Sequence, residues 1–320
     1  MKLVFSKSEL SKAVGIVMKA VPTRTTMNIL ECILIDATTN VIKFTSNDME
    51  LGIETIVEGE IIEKGKVAIE AKLFSEIVRR FPDNEVTIST DSNYTSLITC
   101  EKSKINIAGK SGEDFSFLPI IDKDKMITIS QFNLKEIINQ TIFSTAPNDN
   151  NKMMTGELFE VSDNTLKVVG LDGHRIAIRS IQLEGRADDV KAVVPGKTLQ
   201  EISKLMSTDA ENMVNIYFTN NHILFEFDNT IVVSRLIEGE YFKINQMLSS
   251  DYETKVVINK KEFIGSIDRA NLLITESEKK PIIINITDGS LEVTVNSSKG
   301  KFNEDINIKK EGKDLMIGFN

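Results

Sequence analysis

The stretch GLDGHRIAIR, Gly170 to Arg179, decides how this chain is read. It sets one of the two histidines beside an Asp-Gly turn and continues through an apolar run closed by Arg. A similar stretch, SNDMELGIE, stands at Ser46 to Glu54, and a third, VNSSKGKFNE, at Val295 to Glu304; neither carries His or Arg. All three are read as one structural position in three copies of a single unit, specialised only in the middle copy.

Outward from that position the copies align. In the first, FSKSELSKAVGIVMKAV places Leu10, Val14, Val17, Met18 and Val21 at helical spacing, with Ser8 as N-cap and Pro22 as the stop. Strands are expected at Ile29–Thr38, Val41–Asp48, Leu51–Ile61 and Lys66–Glu70, then a second helix at Ala71–Phe81 and a period-two meander. The second copy repeats this order from Ile129, with Leu134 in the place of Leu10. Leu10 to Asp48 and Leu134 to Asp172 both span 38 residues. The third copy starts at Val256, with Phe263 in the Leu10 place, Asp288-Gly289 as its hairpin turn and KDLMIGFN matching the short strand before helix two. The repeat length predicts roughly 50 residues beyond Asn320, and hence a full chain of roughly 365–370 residues. The expected fold is α+β, each copy a duplicated helix-plus-antiparallel-sheet half-unit, with the third copy incomplete.

At 320 residues the chain has room for two or three domains. No apolar run reaches the ~18 residues of a membrane-spanning helix, and MKLVFSKSEL lacks the pattern of a secretory signal. Cys32 and Cys100, with no CxxC, read as buried reduced thiols of a cytoplasmic protein. The net charge of -9 argues against a uniformly basic nucleic-acid coat. The distribution says more. Lys7, Lys12, Lys19, Lys72, Arg79, Arg80, Lys135, Lys197, Lys204, Lys260, Lys261 and Arg269 sit on expected helices, while Glu54, Glu58, Glu60, Glu63, Asp188, Asp189, Glu238 and Glu240 sit in strands and connections. Helix-borne Lys and Arg are ordinarily solvated; the same bias in three copies favours one basic side.

Candidate chemistry is thin. Asp172-Gly173-His174-Arg175 is more simply a turn than a catalytic group, and no other His stands near it to hold a metal. VPGKTLQ carries GKT, but Lys191 stands where a P-loop needs Gly. Lys197 at a helix N-terminus suits a phosphate instead. Arg24 in PTRTTMNIL and Lys152 in PNDNNKMM occupy equivalent loops beside the helices. The connector LIEGEYFKINQML, Leu236 to Leu248, is unusually apolar, and with Met153 and Met154 it suggests either core packing or a peptide-docking surface.

Several motifs together resemble the bacterial sliding clamp family, the β subunit of DNA polymerase III, over the whole length: PTRTTMNIL, TGELFE, GLDGHRIA, VVPGKTLQEISKL, SRLIEGEYFKINQML and KDLMIGFN. The resemblance implies three tandem clamp domains, 1–125, 126–253 and 254–320, the last represented by its first half. It implies a non-catalytic processivity factor without cofactor or metal, a head-to-tail homodimer around duplex DNA. Its partners would be the DNA polymerase III catalytic subunit, the clamp loader and other clamp-motif proteins. DNA contact would fall to Arg24, Lys72, Arg79, Lys152 and Lys197. The partner-peptide groove would be lined by Met154, Leu171, Gly173, His174, Arg175, Ile176, Phe242 and Met247. The subunit interface would pair Ile77, Phe81, Ile105 and Ile107 with Leu272 and Leu273. The chain departs from common family residues at Asn151–Met154, Leu171 and Phe242. If its end is truncated, the alternative is a monomeric peptide-binding module that closes no ring; a repeat-built enzyme around His174 lacks a second catalytic group.

Overall fold

A computed structural model describes residues 1–248, 251–275, 278 and 280–320. The chain divides into two compact units, Met1–Tyr241 and Phe242–Asn320. The first holds two copies of the repeat. Copy one runs β1 (Lys2–Ser6), α1 (Lys7–Val17), β2 (Cys32–Asp36), β3 (Ile42–Asn47), β4 (Leu51–Val57) and β5 (Glu60–Glu63), then β6 (Lys66–Glu70), α2 (Ala71–Arg80), β7 (Glu85–Thr90), β8 (Thr95–Cys100) and β9 (Ser103–Ser111). Copy two runs β10 (Lys125–Ser130), α3 (Gln131–Asn139), β11 (Gly156–Ser162), β12 (Thr165–Leu171) and β13 (Ile176–Gln182), then β14 (Val190–Pro195), α4 (Gly196–Leu205), β15 (Met213–Phe218), β16 (His222–Phe227) and β17 (Thr230–Arg235).

Each copy is itself two β-α-β-β-β halves, the first half of copy one adding β5 against β1, and the halves exchange strands. The opening strand of one half pairs with the second strand of the other: β1 with β7, β6 with β2, β10 with β15 and β14 with β11, all antiparallel. Neither half can close its own sheet, because a lone strand beside a helix leaves backbone groups and an apolar face unmatched. Phe5, Phe44 and Phe74 tie the halves of copy one together, with ring centroids 5.9 and 6.4 Å apart. Burying each of these rings contributes about 1.5–3 kcal/mol.

The two copies join edge to edge. β17 pairs with β4 from Thr230↔Thr55 to Ser234↔Leu51, and one sheet continues across the junction. The helices bury one face against it: Leu10, Ala13, Val14 and Val17 from α1, and Leu199 and Ile202 from α4, in a shared core.

Local details correct some expectations. The N-cap of α1 is Ser6, not Ser8; its hydroxyl accepts from the Glu9 N–H. The helix ends at Val17, before Pro22, in a 3-10 turn over Met18–Ala20. The expected strand Leu51–Ile61 is two, broken at Glu58-Gly59, where a Cβ on Gly59 would lie 2.6 Å from the Phe5 ring. Both cysteines are buried free thiols, and burial raises their pKa.

The second unit runs α5 (Ile244–Met247), β18 (Thr254–Ile258), α6 (Lys260–Asn271), β19 (Ile282–Thr287), β20 (Ser290–Ser297), β21 (Gly300–Gly312) and β22 (Leu315–Phe319). Its five-stranded sheet packs against Ala270, Phe263 and Ile267 of α6. β22 pairs with β19 as β6 pairs with β2, which matches the repeat position read for KDLMIGFN. β18 pairs instead with β21. The unit begins at Phe242, whereas 253/254 was the expected boundary; Tyr241 is held in the first unit by its hydroxyl, which donates to Val169 O at 3.1 Å.

Candidate functional site

The four helices of the first unit form a row. α1 packs on α2, and α3 packs on α4. Lys19, in the 3-10 turn that follows α1, reaches Glu201 of α4 at 3.8 Å and links the two pairs. Each helix turns its apolar stripe inward, which leaves its Lys and Arg outward. On α2, Phe74, Ile77 and Val78 are buried while Lys72 and Arg79 are exposed; on α4, Leu199 and Ile202 are buried while Lys197 is exposed. Arg24 and Lys152 are exposed in the loops that follow α1 and α3. Among the described residues, no ion pair engages Arg24, Lys72 or Lys152. Arg79 pairs with Glu76 at 2.7 Å, and Lys197 with Asp48 at 2.9 Å. The Lys197–Asp48 pair was not foreseen. It ties the start of α4 to the β3–β4 turn of the other copy, and it partly neutralises a cation read as a phosphate contact.

The Gly170–Arg179 stretch forms the end of β12, a tight turn and β13. Asp172 organises the turn: Oδ1 accepts from the His174 and Arg175 N–H groups at 3.1 and 3.2 Å, and Oδ2 from Arg175 Nε at 3.0 Å. Partial burial opposes ionisation of Asp172, but these donors and the guanidinium charge hold its carboxyl below the usual range. Gly173 takes φ 84°, a left-handed conformation that favours glycine. Met154 lies against it, its Cε 3.9 Å from where a Cβ would stand. The Arg175 guanidinium also sits over the Phe143 ring at 5.7 Å. Phe143 is 56% exposed. It escaped the sequence reading, because an aromatic four residues beyond the end of α3 gives no periodic signal.

Met154, Gly173, His174, Arg175 and Ile176 thus come together on one side of the first unit. His174 and Arg175 are exposed, and Met154 and Ile176 half-buried. Leu171 does not join them at the surface. It is 1% exposed at the inner end of β12 and offers no apolar contact to a docking chain. Phe242 and Met247 belong to the second unit; Met247 is 51% exposed.

The expected interface residues also divide. Ile77, Phe81 and Ile107 are each only 7% exposed and serve the core of their own unit, with Ile105 packed against it. The exposed apolar residue of α2 is Leu73, 48% exposed and one turn before Ile77, an addition to the expected set. β9 pairs with β8 over Ser103–Ala108 and with β6 over Gly109–Ser111. Among the described residues the outer edge of Ser103–Ile107 carries no partner strand. In the second unit Leu272 is 74% exposed, while Leu273 packs partly on the local core.

No group of His, Cys, Asp and Glu among the described residues is arranged to hold a metal, and no described helix is long and apolar enough to cross a membrane. One buried acid is unexplained by any of these surfaces. Glu157 is fully buried, with neither carboxylate oxygen hydrogen-bonded among the described residues.

The comparisons with known proteins agree with the fold. Family models of the DNA polymerase III beta subunit match in chain order: the N-terminal domain over 1–119, the central domain over 128–243 and the C-terminal domain over 245–320. With all three matched, the expected truncation gains no support. The beta sliding clamp of Staphylococcus epidermidis is 35% identical, over 95% of this chain and 83% of its own length; that of Staphylococcus aureus is 34% identical over the same shares. Among crystal structures, a candidate DNA polymerase III beta subunit from Eubacterium rectale is 64% identical with a TM-score of 0.97. The Bacillus subtilis DNA polymerase sliding clamp is 32% identical with a TM-score of 0.96. Each covers 100% of this chain and 87% of the other. The chain belongs to the DNA polymerase III beta-subunit family, the beta sliding clamps.

Proposed function

We propose that this sliding clamp meets duplex DNA through the helix row of its first unit, with Arg24, Lys72, Arg79, Lys152 and Lys197 as the phosphate contacts. The family function is non-catalytic: a homodimeric ring encircles DNA and tethers the polymerase, after loading by the clamp loader. The observation that carries the residue assignment is the outward basic face shared by α2 and α4 and by the loops after α1 and α3. Such contacts read charge and not bases, so the ring can move along the duplex without choosing a sequence. Arg24, Lys72 and Lys152, unpaired among the described residues, are the stronger contacts. Lys197 must first exchange Asp48 for phosphate.

The docking surface for polymerase and other clamp-binding peptides is read on Met154, Gly173, His174, Arg175 and Ile176, with Phe143 added and Leu171 as buried support. Phe242 and Met247 remain assigned by family resemblance. Domain limits at 1–125, 126–253 and 254–320, a cytoplasmic location, and a subunit interface at Leu73, Ile105, Leu272 and Leu273, with Ile77, Phe81 and Ile107 beneath it, complete the proposal.

The test is clamp loading on nicked circular DNA with Arg24→Glu and Lys72→Glu, singly and together. The expected result is weaker retention and a salt slope reduced by about one for each phosphate contact removed. Unchanged retention at every salt concentration overturns the assignment.

A further inference from the structure

The opposite face of the sheet, away from the helices, carries its own apolar cluster where the two copies join. Tyr217, Leu224 and Val233 are buried there beneath Leu118, Ile121 and Ile231. Leu118 belongs to the connector between the copies. It lies directly over β4, where a Cβ on Gly52 would fall 2.1 Å from its Cδ2. The connector is therefore seated on the sheet, and beside it a cleft of about 240 Å³ stays open. One wall is the β3–β4 turn, with Met49 and Glu50; the other is Phe117 and Pro119; His222 and Arg235 close the end. Met49 and Phe117 are 56% and 66% exposed, a concentration of apolar surface that a solvated connector does not require. Met49 also holds φ 76°, a conformation an unbranched residue adopts at a cost.

His222 and Arg235 stand directly opposite each other on β16 and β17, so their side chains share one face. The nearest carboxylate to the Arg235 guanidinium is that of Glu238, at 3.7 Å, too long for a hydrogen bond. The chain has two histidines, and each stands beside an arginine. One pair is His174 and Arg175 on the β12–β13 turn. The other is this pair, beside the β3–β4 turn, which is the same turn in copy one.

We propose that this junction cleft is a second docking site, distinct from the β12–β13 turn and from the helix row, for an extended peptide that presents a bulky apolar side chain next to a carboxylate. The volume lies below the roughly 300–1,000 Å³ of drug-sized ligand sites, so it admits one large side chain and not a whole metabolite. The chemistry follows from complementary charge. The Arg235 fork and the His222 imidazole face a carboxylate well, while Glu50 on the opposite wall disfavours a second acidic group. Phe117 and Met49 supply the apolar contact, over a floor formed by Val233. Because the cleft faces away from the helices, occupancy leaves the proposed DNA contacts free.

The two histidines provide the assay, since each imidazole resonance reports one surface. Full-length protein is titrated with acetyl-Asp-Phe-amide and, separately, acetyl-Asn-Phe-amide at constant pH, with His222→Gln used to assign the resonances. A saturable shift of the His222 signal is expected with the acidic peptide, at least tenfold weaker with the Asn peptide and in Arg235→Gln. Phe117→Ala, at an exposed position, is expected to weaken it as well. Arg175→Ala should leave the His222 response intact, which separates this site from the docking surface of the middle copy. A shift confined to His174, or equal affinity in wild type and Arg235→Gln, overturns the proposal.

Discussion

Glu157 is the residue whose environment is most at odds with its chemistry. Burial pushes its carboxyl up to about 8. Thr141, whose hydroxyl would favour the ionised form, donates instead to Ile137 O at 2.8 Å. Tyr241 beside it is raised as well, by burial first and by the Glu157 charge second. The native state therefore holds a proton that the unfolded chain releases near the ordinary carboxylate value. Its contribution to stability is fully present below about pH 4.5 and is lost as pH rises through about 8. Glu157→Gln is expected to remove that decline, leaving the variant more stable than wild type at pH 9 by a few kcal/mol, on the order of the linkage term. Urea denaturation at pH 6 and pH 9 checks it; equal pH dependence in both proteins would exclude Glu157 as the source.

Two neighbouring positions show how much a repeat conveys at this scale. In copy one the Ser46 hydroxyl donates to Val17 O at the end of α1. In copy two Gly170 occupies the same place, and a Cβ there would fall 2.6 Å from Thr141 O at the end of α3. The register that aligned Leu10 with Leu134 makes both pairs equivalent, yet one contact is a hydrogen bond and the other a close approach. Spacing revealed the position and not its solution. Gly170→Ala is expected to cost about 1–3 kcal/mol through overpacking, seen as a lower midpoint in thermal unfolding. An unchanged midpoint would show that the α3 end yields freely.

At the scale of elements, helix faces and hairpin turns were legible because their periods are local. The partner of each strand was not. Nothing in Lys2–Ser6 announces that β1 crosses to β7, or that β17 reaches β4, since antiparallel partners leave no mark in spacing along the chain. The same limit explains Leu171 and Ile77. Motif resemblance points to neighbourhoods, but which face of a strand or helix is covered depends on what packs there. β17 lies between β16 and β4, so Val232→Pro removes a ladder donor from an interior strand. The expected cost is about 1–3 kcal/mol for the buried acceptor left without its donor, with the connector at 112–124 becoming the preferred site of limited proteolysis. Cleavage distributed elsewhere would count against the β4–β17 seam as the main bond between the copies.

For the whole molecule, the proposed assembly draws on surfaces that one chain leaves open: the edge of β9 at Ser103–Ile107, Leu73 on α2 and Leu272 after α6. Like residues in a core, these gain from burial; unlike them, they are reached only by a second chain. Sedimentation at micromolar concentration is expected to give a dimer, weakened at least tenfold by Leu272→Asp. A wild-type monomer at that concentration would remove the ring-forming interface from this reading. Here the sequence was informative about the family and less so about the contact, because an interface residue and a core residue share the same apolar alphabet.

The seam between the copies also sets an order of events during synthesis. Thr55 and Thr230 hydroxyls meet at 2.9 Å across 175 residues of chain. As the protein emerges from the ribosome, β4 waits with an unpaired edge until β17 has been made. At a translation rate of roughly 5–20 residues per second, that wait is about 9 to 35 seconds. An open strand edge of that duration invites pairing with other nascent chains, so chaperone cover of the first copy matters most until β17 emerges.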